Sequence, residues 1–233
     1  MKLWDKTKIY FTSNKETFAK GICFDKLFLI FVIGSIFGTI YEQILELVTV
    51  YYETGEIVWV SRTAVIYGPF NIIYGVGAVL FILLLGRKER PWWQVLLYGA
   101  LIGGIFEYGV GFLQETFVGM VSWDYSDRFL NINGRTTIPY MLFWGFLSVF
   151  LIKVIYPFLS NLIEKIPYNL GNLVTNILVI FLSLDMLVSW TALIRQNLRR
   201  NGVEPLTFIG EFYDKVYTDE FLEKIYPNMV ASD

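Results

Sequence analysis

The chain has 233 residues, of which 55% are hydrophobic and 18% aromatic, and its mean hydropathy is +0.51. A soluble domain needs a largely polar surface, so this composition excludes one and indicates an integral membrane protein. The net charge of -2 identifies no partner and no nucleic acid is expected, while the lack of histidine and the single Cys23 exclude internal disulfides, metal-thiolate clusters and imidazole bases.

Five segments are long and apolar enough to span a membrane, which takes about 20 residues. They comprise residues 24–51, 65–85, 92–118, 137–158 and 171–194. The first is not a cleaved signal peptide, because its apolar core is too long and no small-residue cleavage site follows it. The predicted fold class is therefore all-α, a polytopic transmembrane helix bundle of about five helices in the cell membrane.

Two segments flank the predicted bundle of residues 24–196. Residues 1–23 carry five lysines and form a basic N-terminal arm. Residues 197–233 form a polar C-terminal tail. Its apolar residues indicate a broadly amphipathic, partly helical segment: Phe212, Val216, Phe221, Leu222 and Ile225.

Lysine and arginine near the helix ends predict the orientation, because cytoplasmic loops are enriched in both. With five helices, the arm and the loops after the second and fourth helices share one side. The loops after the first and third helices share the other side with the tail. The bias favours a cytoplasmic N-terminus only slightly, since Arg195, Arg199 and Arg200 after the fifth helix argue for the opposite orientation.

The third helix carries acidic residues among small ones. Gly99, Gly103, Glu107, Gly111 and Glu115 recur every four residues and so lie along one helical face. Stripes of small residues let helix backbones approach closely in lipid, where packing rather than hydrophobicity drives association. This face is predicted to lie inside the bundle.

The first helix repeats this arrangement. Gly34, Gly38, Glu42 and Glu46 are again four residues apart, and the alignment with the third helix has an offset of 65 residues. After the loops, "RTAVIYGPF" from Arg62 resembles "RTTIPYMLF" from Arg135 at an offset of 73.

These similarities predict two copies of a helix-loop-helix unit, residues 24–86 and 92–158. Each copy holds an even number of spans, so the copies would be parallel and related by an axis along the membrane normal. Glu42 would then correspond to Glu107 and Arg62 to Arg135. The alternative is that glycine-rich membrane helices resemble each other by composition alone.

The acidic residues of both helices lie toward the loops that carry the arginines. An ionised carboxylate at the bilayer centre costs at least ~2.5 kcal/mol, so it normally faces protein or water and has a partner. A ligand-binding site is therefore predicted from residues on one side of the membrane: Glu42, Glu46, Arg62, Glu107, Glu115, Asp124 and Arg135. The alternative is that Arg62 and Arg135 form ion pairs that only fix the packing of the first and third helices.

Three further polar residues are candidates for this site. Asn71 and Tyr74 lie in the second span, whose start "YGPF" is read either as a helix beginning with Pro69 in its first turn or as a broken helix lining a cavity. Asp185 lies in the middle of the fifth span. Its position indicates either a second polar site or a hydrogen bond that fixes this helix in the bundle.

Several motifs together resemble one family. They are "GxxYE" at 38–42, "YGPFNIIYGVG" at 67–77, "EYGVGFLQE" at 107–115, "WDYSDRFLNINGR" at 123–135, "FWG" at 143–145 and "YPNM" at 226–229. They resemble the CmpB-like family of ABC-transporter type IV permeases of Firmicutes-type bacteria. Ile72 replaces a second proline that is usual in the family, which argues against a strong helix break there. The resemblance implies transport but no substrate.

Two classes of function follow. The first is a permease-like or channel-like transport component in which Glu42, Glu107 and Asp185 bind a cation, a proton or a cationic solute. The second is a lipid-headgroup binder or lipid-modifying enzyme, with Asp124 or Glu107 as general base and the arginines on phosphate. It is the weaker of the two, because no nucleophile is evident.

A purely structural or accessory role is the third reading. No P-loop is present, so ATP-driven transport needs a separate ATPase subunit, and the lipid bilayer is the other expected partner. A homo-oligomer, the cofactor and any metal are left open, since no carboxylate spacing is diagnostic for Mg²⁺ or Ca²⁺.

Overall fold

The computed structural model describes residues 17–231. Most of the predicted basic arm, residues 1–16, lies outside the described residues; within residues 17–23, Phe18 is buried against Gly171. The helices are α1 Phe24–Thr54, α2 Ile72–Leu85, α3 Trp92–Val118, α4 Ile138–Phe150, α5 Tyr156–Glu164, α6 Tyr168–Arg200, α7 Phe208–Val216 and α8 Asp219–Ile225. Four strands of two residues each complete it: β1 Met120–Val121, β2 Asn131–Ile132, β3 Thr136–Thr137 and β4 Val230–Ala231.

The predicted all-α membrane bundle is confirmed. Within residues 17–231, four helices are long and apolar enough to cross a membrane. They are α1, α3, α6 and the continuous helix Ile138–Glu164, which joins α4 to α5 through a π-helical turn at Leu151–Ile155. Pro157 lies just after that turn. Proline has no backbone N–H, and the wider π-helical turn leaves room for its ring. The fifth apolar helix, α2, has 14 residues, which is about 21 Å and shorter than the hydrocarbon core.

The bundle is built from two helical hairpins, α1 with α2 and α3 with α4. In the first, a Cβ atom added to Gly34 would lie 3.4 Å from the Cα of Gly75. In the second, a Cβ added to Gly99 would lie 3.4 Å from the Cα of Gly145. The helices therefore approach most closely at glycines, as the stripe of small residues predicts.

The contacts of the two hairpins correspond residue by residue. Gly38 faces Tyr74 in the first hairpin, and Gly103 faces Trp144 in the second. The matched residues lie 65 positions apart in α1 and α3 and 70 apart in α2 and α4. The rings of Tyr74 and Trp144 contact each other, with centroids 5.5 Å apart. The two hairpins thus contact each other at Tyr74 and Trp144. The repeat stays a prediction, and the contacts give an offset of 70 in α2 and α4 where the alignment from Arg62 predicts 73.

The second apolar segment becomes helical later than predicted. The α2 helix begins at Ile72, not at residue 65, and Pro69 is not in its first turn. Gly68 has φ +91°, a left-handed conformation that ends any regular helix there. The backbone N–H of Tyr67 donates to Asp185 Oδ1 (3.1 Å) and that of Ile66 to Ser189 Oγ (2.8 Å). Non-helical backbone at membrane depth needs such internal partners, and α6 supplies them.

The C-terminal tail folds against one end of the bundle. The last long helix, α6, continues to Arg200, so the boundary predicted at residues 196–197 falls inside a helix. Strand β4 pairs antiparallel with β1, which directly follows α3. Leu222 and Tyr226 are buried in one cluster with Ile66. The tail and the loops after α1 and α3 therefore lie at the same end, as the topology of five helices predicts.

Candidate functional site

Glu42 of the first hairpin and Glu107 of the second, the inner glutamates, interact with neutral hydrogen-bond donors. Glu107 is 6% exposed and accepts hydrogen bonds from the hydroxyls of Thr136 (2.5 Å) and Tyr125 (3.2 Å). Glu42 accepts one from the hydroxyl of Tyr74 (3.0 Å). The ring of Tyr74 contacts that of Trp144, which packs on Gly103 one turn before Glu107. One acidic residue from each hairpin therefore lies in this region of the bundle.

A short β-hairpin positions two of the residues around Glu107. Strands β2 and β3 pair antiparallel, with Ile132 opposite Thr136. Asn133 and Gly134 both have positive φ in the turn, a backbone conformation that asparagine and glycine adopt more readily than other residues. This turn brings Thr136, which is 1% exposed, onto the inner carboxylate and sends the neighbouring Arg135 outward.

The outer glutamates form the ion pairs. Arg62 pairs with Glu46, and Arg135 holds Glu115 through Nε (3.0 Å) and Nη2 (2.6 Å). Among residues 17–231, neither Glu42 nor Glu107 is within ion-pair distance of a lysine or arginine. The two arginines thus pair with the outer glutamates, and within the described residues the inner carboxylates have no lysine or arginine in an ion pair with them.

Aromatic rings fill the space around the inner carboxylates. Tyr41 stacks on Phe143 with centroids 5.7 Å apart, and Tyr125 stacks on Tyr140 at 4.7 Å. Tyr41 also lies against Tyr74, at 6.1 Å. In the stacked pairs the ring faces lie against each other, so these rings pack the region between the hairpins.

The other candidates lie elsewhere. Asp124 is exposed, and the backbone and hydroxyl of Ser126 donate to it, which holds the pKa of the Asp124 carboxyl below its usual range. Asn71 is 7% exposed and donates to the backbone oxygen of Arg62 (3.3 Å). Asp185 is 3% exposed and holds the segment before α2. Of the ten candidates, the structure brings Glu42, Glu107 and Tyr74 together.

Sequence reasoning missed Tyr125 and Thr136. The signal for Thr136 is the "NG" pair at 133–134, which is a strong hairpin indicator and predicts that the following residues return toward α3. The pattern gives no comparable signal for Tyr125, because its contact with Glu107 depends on how the whole loop folds.

Asp185 is expected to act through hydrogen bonding rather than charge. Asp185→Ala removes the acceptor for the Tyr67 N–H and should lower the free energy of unfolding by about 1–3 kcal/mol, because a buried donor is left without a partner. Asp185→Asn keeps an acceptor oxygen and should stay within about 1 kcal/mol of the native protein. Thermal unfolding in detergent measures both; equal losses for the two variants would show that the charge itself matters.

A family model described as "Putative ABC-transporter type IV" matches residues 29–190. The match covers more than half of the chain, includes all ten candidate residues and ends before the tail. No curated protein and no solved structure matches the chain.

Proposed function

Since the chain belongs to the "Putative ABC-transporter type IV" family, we propose that it is the permease-like or channel-like component of a transporter. Within it, Glu42 and Glu107 form a buried site that binds a cation, a proton or a cationic solute. The protein lies in the cell membrane as a multi-pass bundle. A separate ATPase subunit supplies the energy of ATP hydrolysis, because the sequence contains no P-loop.

One observation carries the proposal: Glu107 is buried, and its bonded partners Thr136 and Tyr125 are neutral. A buried carboxylate without a positive partner is expensive, so it takes up a proton or a cation. Ionisable residues inside membranes with these properties mark substrate or ion pathways by default.

The ion-pair alternative accounts for the outer residues only. Arg62 with Glu46 and Arg135 with Glu115 have the partners that purely structural ion pairs require. The inner carboxylates of Glu42 and Glu107 have no such partners among residues 17–231.

The lipid-headgroup alternative is weaker on this geometry. A phosphate would need the guanidinium groups of Arg62 and Arg135, and both are engaged by glutamates. Of the two residues considered as general base, Asp124 and Glu107, Asp124 is a poor one because its hydrogen bonds favour the carboxylate and lower its pKa.

Dicyclohexylcarbodiimide tests the proposal without a known substrate, because it reacts with protonated carboxyl groups in apolar surroundings. We expect peptide mass mapping of the reconstituted protein to find the adduct on Glu42 or Glu107 and not on Glu46 or Glu115. Adding sodium, potassium or tetramethylammonium ions in turn should identify a cation that protects the inner site. If the inner glutamates stay unmodified and no cation changes the pattern, the proposed site is wrong.

A further inference from the structure

The amphipathic helix α7 of the tail turns its polar side chains toward the bundle. The hydroxyl of Tyr213 accepts a hydrogen bond from Thr191 of α6 (2.6 Å). Asp214 accepts from Arg195 Nε (2.8 Å) and Nη2 (2.6 Å), and from Arg199 Nη1 (2.6 Å). The helix is thus attached to α6 by hydrogen bonds and ion pairs.

The apolar side of α7 faces away from the protein. Phe208 is 81% exposed, Ile209 67%, Phe212 47% and Val216 42%. Their spacing of one, three and four residues places them on one face of the helix; Lys215 lies at the edge of this face and Glu211 outside it. A helix that served only to cover the bundle in water would bury this apolar face.

The exposed face of α7 continues the apolar surface of α6. Trp190, Ile194 and Leu198 of α6 are also exposed, as expected of a membrane-spanning helix. A cleft of about 240 Å³ lies between the two helices; Ile194 and Leu198 of α6 and Ile209 of α7 line it beside the polar residues Thr191, Arg195, Thr207 and Tyr213. Exposed apolar residues of α6 and α7 therefore meet across this cleft.

We propose that α7 lies in the membrane interface and binds the lipid bilayer through Phe208, Ile209, Phe212 and Val216. Different faces of α7 are suited to contact the bundle, water and lipid. Such a helix fits the position where the bundle meets the bilayer surface. The attachment works by hydrophobic insertion rather than by headgroup charge, because Asp214 and the backbone oxygen of Val203 occupy the guanidinium of Arg195.

The anchor on the bundle side is stable at neutral pH. The guanidinium of Arg195, and next that of Arg199, holds the pKa of the Asp214 carboxyl below its usual range. A lowered pKa means that the attachment is present above the carboxyl's unfolded pKa and weakens only as the pH falls through the lower, folded value.

Labelled single-cysteine variants of the full chain test this inference. In a Cys23→Ala background, Phe212→Cys and Glu211→Cys place a fluorophore on the apolar and the water side of α7. In vesicles containing brominated phosphatidylcholine, we expect the label at 212 to be quenched at least about twofold more than the label at 211, since an interfacial helix buries its apolar face about 5–10 Å deep. Aqueous iodide should show the reverse order.

Two outcomes would overturn the inference. Equal iodide quenching at both positions would show that water covers the apolar face. Disulfide-linked dimers of unlabelled Phe212→Cys in the vesicles, together with no quenching of the label at 212 by brominated lipid, would show that a second copy covers it. If Phe212→Cys does not assemble, Val216→Cys with Glu211→Cys provides the same comparison, because these residues also lie on different faces of α7.

Discussion

Replacing Glu107 with glutamine should weaken cation binding at the inner site by roughly 10- to 100-fold, while the bundle stays folded. The attraction between a carboxylate and a nearby opposite charge is worth about 1–3 pKa units, and the lower part of that range, about 1.4–3 kcal/mol, gives this change in affinity. The fold should survive because Thr136 and Tyr125 donate to different oxygens of Glu107, so in the variant one hydroxyl can still donate to the amide oxygen and the other can accept from the amide N–H. Charge, not hydrogen bonding, is therefore what Glu107→Gln removes.

The protection of Glu42 from dicyclohexylcarbodiimide measures this effect, because Glu42 remains in the variant. The cation concentration that gives half protection should rise in Glu107→Gln. Glu53→Gln is the matched control, since Glu53 is an exposed carboxylate on the same helix as Glu42, and it should leave the concentration unchanged. A loss of thermal stability in Glu107→Gln at unchanged protection would instead assign Glu107 a packing role.

The spacing of glycine and glutamate could be interpreted from the sequence because a helix has a fixed geometry. Four-residue spacing places Gly99, Gly103 and Glu107 on one face, and all three are buried. The same pattern cannot separate inner from outer glutamates. Whether Arg135 reaches Glu107 or Glu115 depends on the hairpin between β2 and β3, which sends Arg135 and Thr136 in different directions.

The start of α2 shows a second limit of the sequence pattern. Residues 65–71 are apolar enough to extend the helix, and the replacement of a proline by Ile72 argued against a break. The chain is nevertheless non-helical until Ile72. Its backbone groups bond to Asp185 and Ser189, more than 100 residues away, and local periodicity carries no information about such distant partners.

The tail was predicted only as a broadly amphipathic segment for a similar reason. The spacing of its apolar residues indicated helices but did not indicate which side of each helix would face the bundle. That choice follows from Arg195 and Arg199, which lie in α6 and attract Asp214. A helix whose polar side faces protein is the opposite of the usual arrangement in water, and sequence pattern alone would have assigned it the other way around.

Replacing Gly103 with alanine should destabilise the bundle by about 1–3 kcal/mol, because the added Cβ would overlap the Trp144 side chain where α3 meets α4. Gly109→Ala on the same helix is the matched control. A Cβ there meets nothing within 4 Å, so the gain in helix propensity should stabilise it by up to about 1 kcal/mol. The two substitutions are identical in chemistry and opposite in expected sign.

The same experiment tests the repeat. Gly38 faces Tyr74 as Gly103 faces Trp144, so Gly38→Ala should lower the melting temperature in detergent as Gly103→Ala does. If both behave like Gly109→Ala, the helices do not approach each other as described. Because Tyr74 is bonded to Glu42 and its ring lies against Trp144, displacing either aromatic ring should also move the inner carboxylates. Cation protection should therefore fall together with stability in both variants, which would tie the glycine contacts of the two hairpins to the site between them.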